Sequence, residues 1–123
     1  MRNYTVALNA EYFVSTDADA LECEDKAAEM IEAALKDKAS EIDAATINTY
    51  RHLFGDGYSV KMSVNMVVEV EADDYEVAYD RAITVVENVP YKDGVELVAV
   101  GTYDAVLPED RQFLQMSKYA IGR

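Results

Sequence analysis

Few residues in this 123-residue chain stand in arrangements that could do chemistry. Asp17-Ala18-Asp19-Ala20-Leu21-Glu22 opens like a calcium loop. It lacks the glycine at the sixth position, and Ala28 stands where the twelfth-position glutamate is required. Gly55-Asp56-Gly57 is too short to cradle a phosphate and is not followed by a lysine–serine pair, so it reads as a turn. His52, beside Tyr50 and Arg51, has no carboxylate or serine at motif spacing. Cys23 sits among Glu22, Glu24 and Asp25, a poor setting for a nucleophile. With one cysteine and one histidine, the chain lacks the usual ingredients of zinc sites and nucleophilic triads. The expectation is a protein that is not an enzyme, with no metal and no cofactor.

The elements that must carry any other function come from an internal repeat. Tyr4-Thr5-Val6-Ala7-Leu8-Asn9-Ala10-Glu11-Tyr12-Phe13-Val14 aligns with Tyr58-Ser59-Val60-Lys61-Met62-Ser63-Val64-Asn65-Met66-Val67-Val68. In each, every second residue is apolar, the period of a strand with one buried face. Met62 and Met66 fall on that face and, like Met30, read as core filler. Residues 18–37 and 73–89 then carry helical spacing. Leu21, Ala28, Ile31 and Leu35 form one stripe, and Tyr75, Ala82, Val85 and Val89 the other. Asp17 and Asp19 precede the first helix and Asp73 and Asp74 the second, as N-caps would. Residues 41–51 read as a strand by analogy with the valine-rich 94–106, although Ala44-Ala45 could extend a helix.

Two β-α-β units in tandem, with right-handed crossovers, predict an α+β ferredoxin-like βαββαβ sandwich. Its four-stranded antiparallel sheet has strands near 3–15, 41–51, 58–71 and 94–106, with 3–15 and 58–71 central and both helices on one face. One domain, residues 1–107, comprises halves 1–54 and 55–107, and a tail, 108–123, forms a short helix opened by Pro108.

Half of the residues are hydrophobic, which is enough for a core. No uncharged apolar run approaches the roughly 18–20 residues of a membrane span. The start, Met1-Arg2-Asn3-Tyr4, lacks a signal-peptide pattern, and the single cysteine fits a reducing, cytoplasmic setting. Twenty-four acids against eleven bases give a net charge of −13, which disfavours direct contact with nucleic acid or anionic membrane.

That charge is concentrated. Residues 17–43 hold ten acids and three bases, residues 69–87 hold seven acids and one base, and the rest balances. Glu22, Asp25, Glu29 and Glu32 recur at helical spacing on the first helix, and Asp73, Glu76 and Asp80 on the second, with Asp74 and Glu87 flanking them. Like charges three and four apart weaken an isolated helix, so local helix stability did not select them. The plain reading is a solvated face that maintains solubility. The sharper one is a negative surface that docks on a basic protein partner, such as a nucleic-acid-binding complex.

Val70-Glu71-Ala72-Asp73-Asp74-Tyr75-Glu76-Val77-Ala78 is similar in texture to many small open reading frames of phages and mobile elements. That resemblance implies a role in countering host defence or modulating a host complex. Combined with the acidic helices, it suggests an inhibitor or decoy of the anti-CRISPR kind. Motifs of other ferredoxin-like families are missing: no Cys-x-x-Cys metal loop, no arginine-plus-asparagine phosphate loop, and, with Lys61 alone, no basic surround for RNA on the sheet face. The alternative is a structural or scaffolding homo-oligomer. Its interface would be the sheet face without helices, carrying Phe13, Tyr50, Leu97, Ala99 and Tyr103, and a homodimer is the expected state. The tail could cover part of that face with Phe113, Leu114 and Met116, and its Arg111, Lys118 and Arg123 oppose the acidic helices in sign.

Overall fold

A computed structural model describes residues 1–115. The chain runs β1 (Arg2–Thr16), α1 (Cys23–Leu35), β2 (Glu41–Arg51), β3 (Tyr58–Ala72), α2 (Tyr75–Glu87), β4 (Val95–Val106) and a short 3-10 helix, Pro108–Phe113. The four strands form one antiparallel sheet in the order β2-β3-β1-β4. The fold is therefore α+β, with two main helices and the two 15-residue strands at its centre. Residues 41–51, the least certain strand in the sequence, pair with β3 from Glu41↔Val67 to Arg51↔Tyr58.

Strand alternation sets the core. Val6, Leu8, Ala10, Tyr12 and Val14 from β1 meet Val60, Met62, Val64, Met66 and Val68 from β3 on one face. Both helices cover that face, with Cys23, Ala27, Ile31 and Leu35 from α1 and Ala78, Ala82 and Val86 from α2. The fully buried rows of the helices are narrow, about one residue per turn, flanked by half-buried residues, and the outer face of each helix is left to water.

The phase of α1 corrects the expected stripe. The helix begins at Cys23, leaving Leu21 outside it and 90 % exposed, and Ala28 lies beside the buried row. Asp19 explains the late start: its carboxylate accepts from the Leu21 and Glu22 amides and closes a turn ahead of the helix. In α2 the buried row is likewise shifted, with Tyr75 48 % exposed and Val86 rather than Val85 inside. Asp74 caps α2 as expected, accepting from the Val77 amide at 2.9 Å.

Both edge strands are bulged. Ile47 in β2 and Val98 and Tyr103 in β4 have no opposite residue, and these three are among the exposed large apolar side chains. A bulge twists an edge away from regular pairing.

In the tail, Pro108–Phe113 form a 3-10 helix with Pro108 in its first turn. Arg111 pairs with Glu41, which starts the strand at the opposite edge, so this segment crosses the helix-free face. Thr5, Ala7 and Val67 are buried on that face. The expected tail residues Met116, Lys118 and Arg123 lie outside the described residues.

Candidate functional site

All nine carboxylates of the expected acidic face are exposed: Glu22, Asp25, Glu29, Glu32, Asp73, Asp74, Glu76, Asp80 and Glu87. Glu22, Asp73 and Asp74 stand just ahead of the two helices rather than on them, and the helix phases put the other six there, because the buried rows take the positions facing the sheet. Neighbours three or four apart on a helix stand about 5–6 Å from one another at Cβ. Two of the nine have local work. Asp74 is the α2 cap, and Asp73 lies 3.9 Å from the terminal amino group of Met1. The other seven form no ion pair among the described residues, and Arg81, the nearby cation of α2, instead donates to the Glu71 carbonyl. The acidic layer is therefore largely uncompensated.

The helix-free face divides into three zones. At one end the Pro108–Phe113 segment lies over it, with Arg111 paired to Glu41. In the middle the Asn9 side chain donates to Ser63 Oγ at 2.9 Å and to Asn65 Oδ1 at 3.0 Å, a polar patch across the two central strands. At the far end the Phe13 and Tyr50 rings stack, with centroids 5.6 Å apart and planes 16° from parallel. Tyr103, at its bulge, and Ala99 border a shallow depression with Asn9 and Glu11 on the same face. Leu97 does not belong with them. It pairs with Tyr12 and packs against the core beneath the helices, because the bulge at Val98 reverses the alternation.

Sequence spacing gave no serine partner for His52, yet the fold supplies one. Nε2 lies 2.9 Å from Ser59 Oγ, and Ser59 Oγ lies 3.2 Å from Ser15 Oγ. His52 Nδ1 is 3.0 Å from the Asp56 carbonyl, and the His52 amide donates to the Gly57 carbonyl. These bonds tie the β2–β3 hairpin to the strands, and Ser59 is 9 % exposed. The pairing crosses a hairpin, so linear motif spacing could not show it. Its geometry fits a structural clasp.

The hairpin tip holds what sequence reasoning overlooked. Leu53 and Phe54 are each 92 % exposed. The available signal was two large apolar residues between the end of a strand pattern and a Gly-Asp-Gly turn, where no buried face remains to take them.

Inside the core, Tyr12 and Tyr91 hydroxyls are 2.6 Å apart and Tyr91 donates to the Val86 carbonyl at 2.9 Å. Since Tyr91 spends its proton on Val86, Tyr12 is the donor between the two rings. Burial, followed by this hydrogen bond, holds the Tyr12 hydroxyl far above its usual range; burial also raises Tyr91. Both stay neutral and serve to join α2 to the sheet.

Among the described residues, no group of three or more histidine, cysteine, aspartate or glutamate side chains could hold a metal ion, and no helix is long and apolar enough to cross a membrane. Compared with known proteins, the chain matches no family model, no curated protein and no solved structure.

Proposed function

We propose that this protein is a non-enzymatic binding protein whose acidic helical layer engages a basic protein, in the manner of a decoy that competes for a nucleic-acid-binding surface. The observation that carries the reading is the row of uncompensated carboxylates on α1 and α2, both mounted on one side of the sheet. An array of closely spaced carboxylates can stand in for a phosphate backbone and can occupy a lysine- and arginine-lined channel. Origin in a phage or mobile element, and action on a host complex in the cytoplasm, belong to the same proposal.

We further read the architecture as ferredoxin-like and derived by duplication. Its support is the βαββαβ element order, the equal lengths of β1 and β3, and the equal lengths of α1 and α2.

The test is capture of partners from host lysate by the wild type and by the triple variant Asp25→Lys, Glu29→Lys, Asp80→Lys. A basic partner retained at low salt, released by roughly 0.5 M salt and lost with the triple variant supports the reading, since screening then acts within a few ångström. A partner that the triple variant retains refutes it.

A second reading, a homodimer formed through the helix-free face, draws on Phe13, Tyr50, Ala99 and Tyr103. Tyr50 and Tyr103 are each 44 % exposed there. Light scattering that yields 13.7 kDa would exclude it. A dimer dispersed by Tyr103→Glu would support it.

A further inference from the structure

The Leu53–Phe54 tip is unlike the other exposed large apolar positions among the described residues, none of which has a second such residue directly beside it in the chain. Here two adjacent large side chains, 92 % exposed each, project from one turn. Singly exposed apolar residues are ordinary; a paired projection is not.

The turn that carries them is held on three sides. His52 bonds to Ser59, to the Asp56 carbonyl and, through its amide, to the Gly57 carbonyl. Gly57 adopts φ +105°, and a Cβ there would lie 2.0 Å from the Thr16 carbonyl, so the loop backbone presses directly on the end of β1. The backbone flanking the tip on both sides is thus held, which lowers the cost of ordering it on binding.

Its surroundings are acidic. Asp17, Asp19 and Asp56 border the depression between the tip and the β1–α1 loop, opposed by Arg51. Exposed Leu21 follows directly along the same loop, and Glu22 and Glu24 lie just beyond it.

We propose that Leu53 and Phe54 form a two-residue anchor that inserts into an apolar pocket of a protein partner, and that the rim of this pocket is basic. Aromatic residues are enriched at the cores of protein interfaces and polar groups at their rims, the arrangement that Phe54 and the neighbouring carboxylates present. The acidic rim excludes anionic lipid as the occupant and selects lysine or arginine around the pocket. The anchor lies at the hairpin end, and its apolar pair does not depend on Asp25, Glu29 and Asp80, the carboxylates that test the decoy reading.

The experiment selects a displayed random-peptide library against the full-length wild-type protein and counter-selects it against Leu53→Ser/Phe54→Ser. Because both side chains are solvent-exposed, the double variant should unfold at the wild-type temperature, which a thermal melt verifies. The expected result is enriched peptides that combine apolar residues with lysine or arginine. Their binding should be at least about tenfold weaker to the double variant and unchanged by Asp25→Lys/Glu29→Lys/Asp80→Lys. Peptides that bind the double variant equally well, or no tip-dependent enrichment, would overturn the proposal. So would concentration-dependent self-association of the wild type that the double variant abolishes, which would make a second copy the occupant. Tip-dependent binding to phosphatidylcholine vesicles would also overturn it, assigning the tip to a lipid surface. Loss of peptide binding in the triple variant alone would count against the anchor, while leaving the decoy reading to its own test.

Discussion

Phe13 and Tyr50 belong to strands that are not neighbours, yet their rings stack at 5.6 Å on a diagonal across β3, which sets Lys61 opposite Phe13 and the small Ser59 opposite Tyr50. Ser59 pairs with Tyr50 and Ser15, and its hydroxyl is turned to His52 and Ser15. Ser59 therefore lies beside the ring stack and anchors the hairpin. Phe13→Ala and Tyr50→Ala should couple by about 0.5–1.5 kcal/mol in a double-mutant cycle read by urea unfolding. Additive effects would show that the stacking contributes nothing to stability.

The tyrosine relay makes an asymmetric prediction. Tyr12→Phe removes a donor but leaves Tyr91 bonded to Val86, so the loss should be about 0.5–1.5 kcal/mol. Tyr91→Phe leaves the buried Tyr12 hydroxyl without its acceptor and should cost about 1–3 kcal/mol. Equal losses in chemical denaturation would contradict the assigned donor direction.

The same pair sets an alkaline limit. Both hydroxyls are raised above the ordinary tyrosine value near 10, so the folded state keeps protons that the unfolded chain releases. Their contribution is complete below about pH 10 and is lost as pH rises above it. Melting temperature should fall between about pH 10 and 11, and Tyr12→Phe should flatten that fall. A slope identical to wild type would remove the relay from the cause.

Gly57 and Gly55 both have positive φ but differ in surroundings. Gly57→Ala must strain the backbone and displace the Thr16 carbonyl, whereas Gly55, at φ +80°, has no atom within 4 Å of its absent side chain. Gly55→Ala should cost about 1–2 kcal/mol and Gly57→Ala clearly more. Equal melting temperatures would refute the close approach.

The phase of α1 is tested by Ile31→Ala against Leu21→Ala. The first empties a fully buried site and should cost about 2–5 kcal/mol; the second should change stability by less than about 0.5 kcal/mol. A substantial loss from Leu21→Ala would restore the stripe that the sequence suggested.

Much of the architecture was legible because strand alternation is strict in this chain. The pattern from Tyr4 to Val14 and from Tyr58 to Val68 identified the two central strands and their buried faces. Residues 41–51 were readable by analogy with 94–106, despite their helix-tolerant alanines. Helix phase was less legible, since α1 and α2 bury alanines and a cysteine that differ little in type from their half-exposed neighbours Ala28 and Ala34. Leu97 was misassigned because a bulge two-to-one against β1 breaks the period, and no single residue announces it. The acidic layer was visible from charge and spacing alone. The His52–Ser59 clasp was not, because it is created by strand register rather than by linear distance.

The sheet register also governs the order in which the molecule can assemble. β1 lies between β3 and β4, and Thr5 is flanked by Glu69 on one side and by Val106 on the other. As the chain emerges from the ribosome, β1 has no strand partner until β3 is made, and its second edge waits for β4. Pairings so distant in sequence favour folding on the millisecond-to-second scale typical of sheet-rich domains. During that interval the valine-rich edges are open to other chains, and the carboxylates clustered on both helical segments give every such intermediate a strong mutual repulsion. Like charge held in this way opposes association between such intermediates whatever partner the folded chain meets.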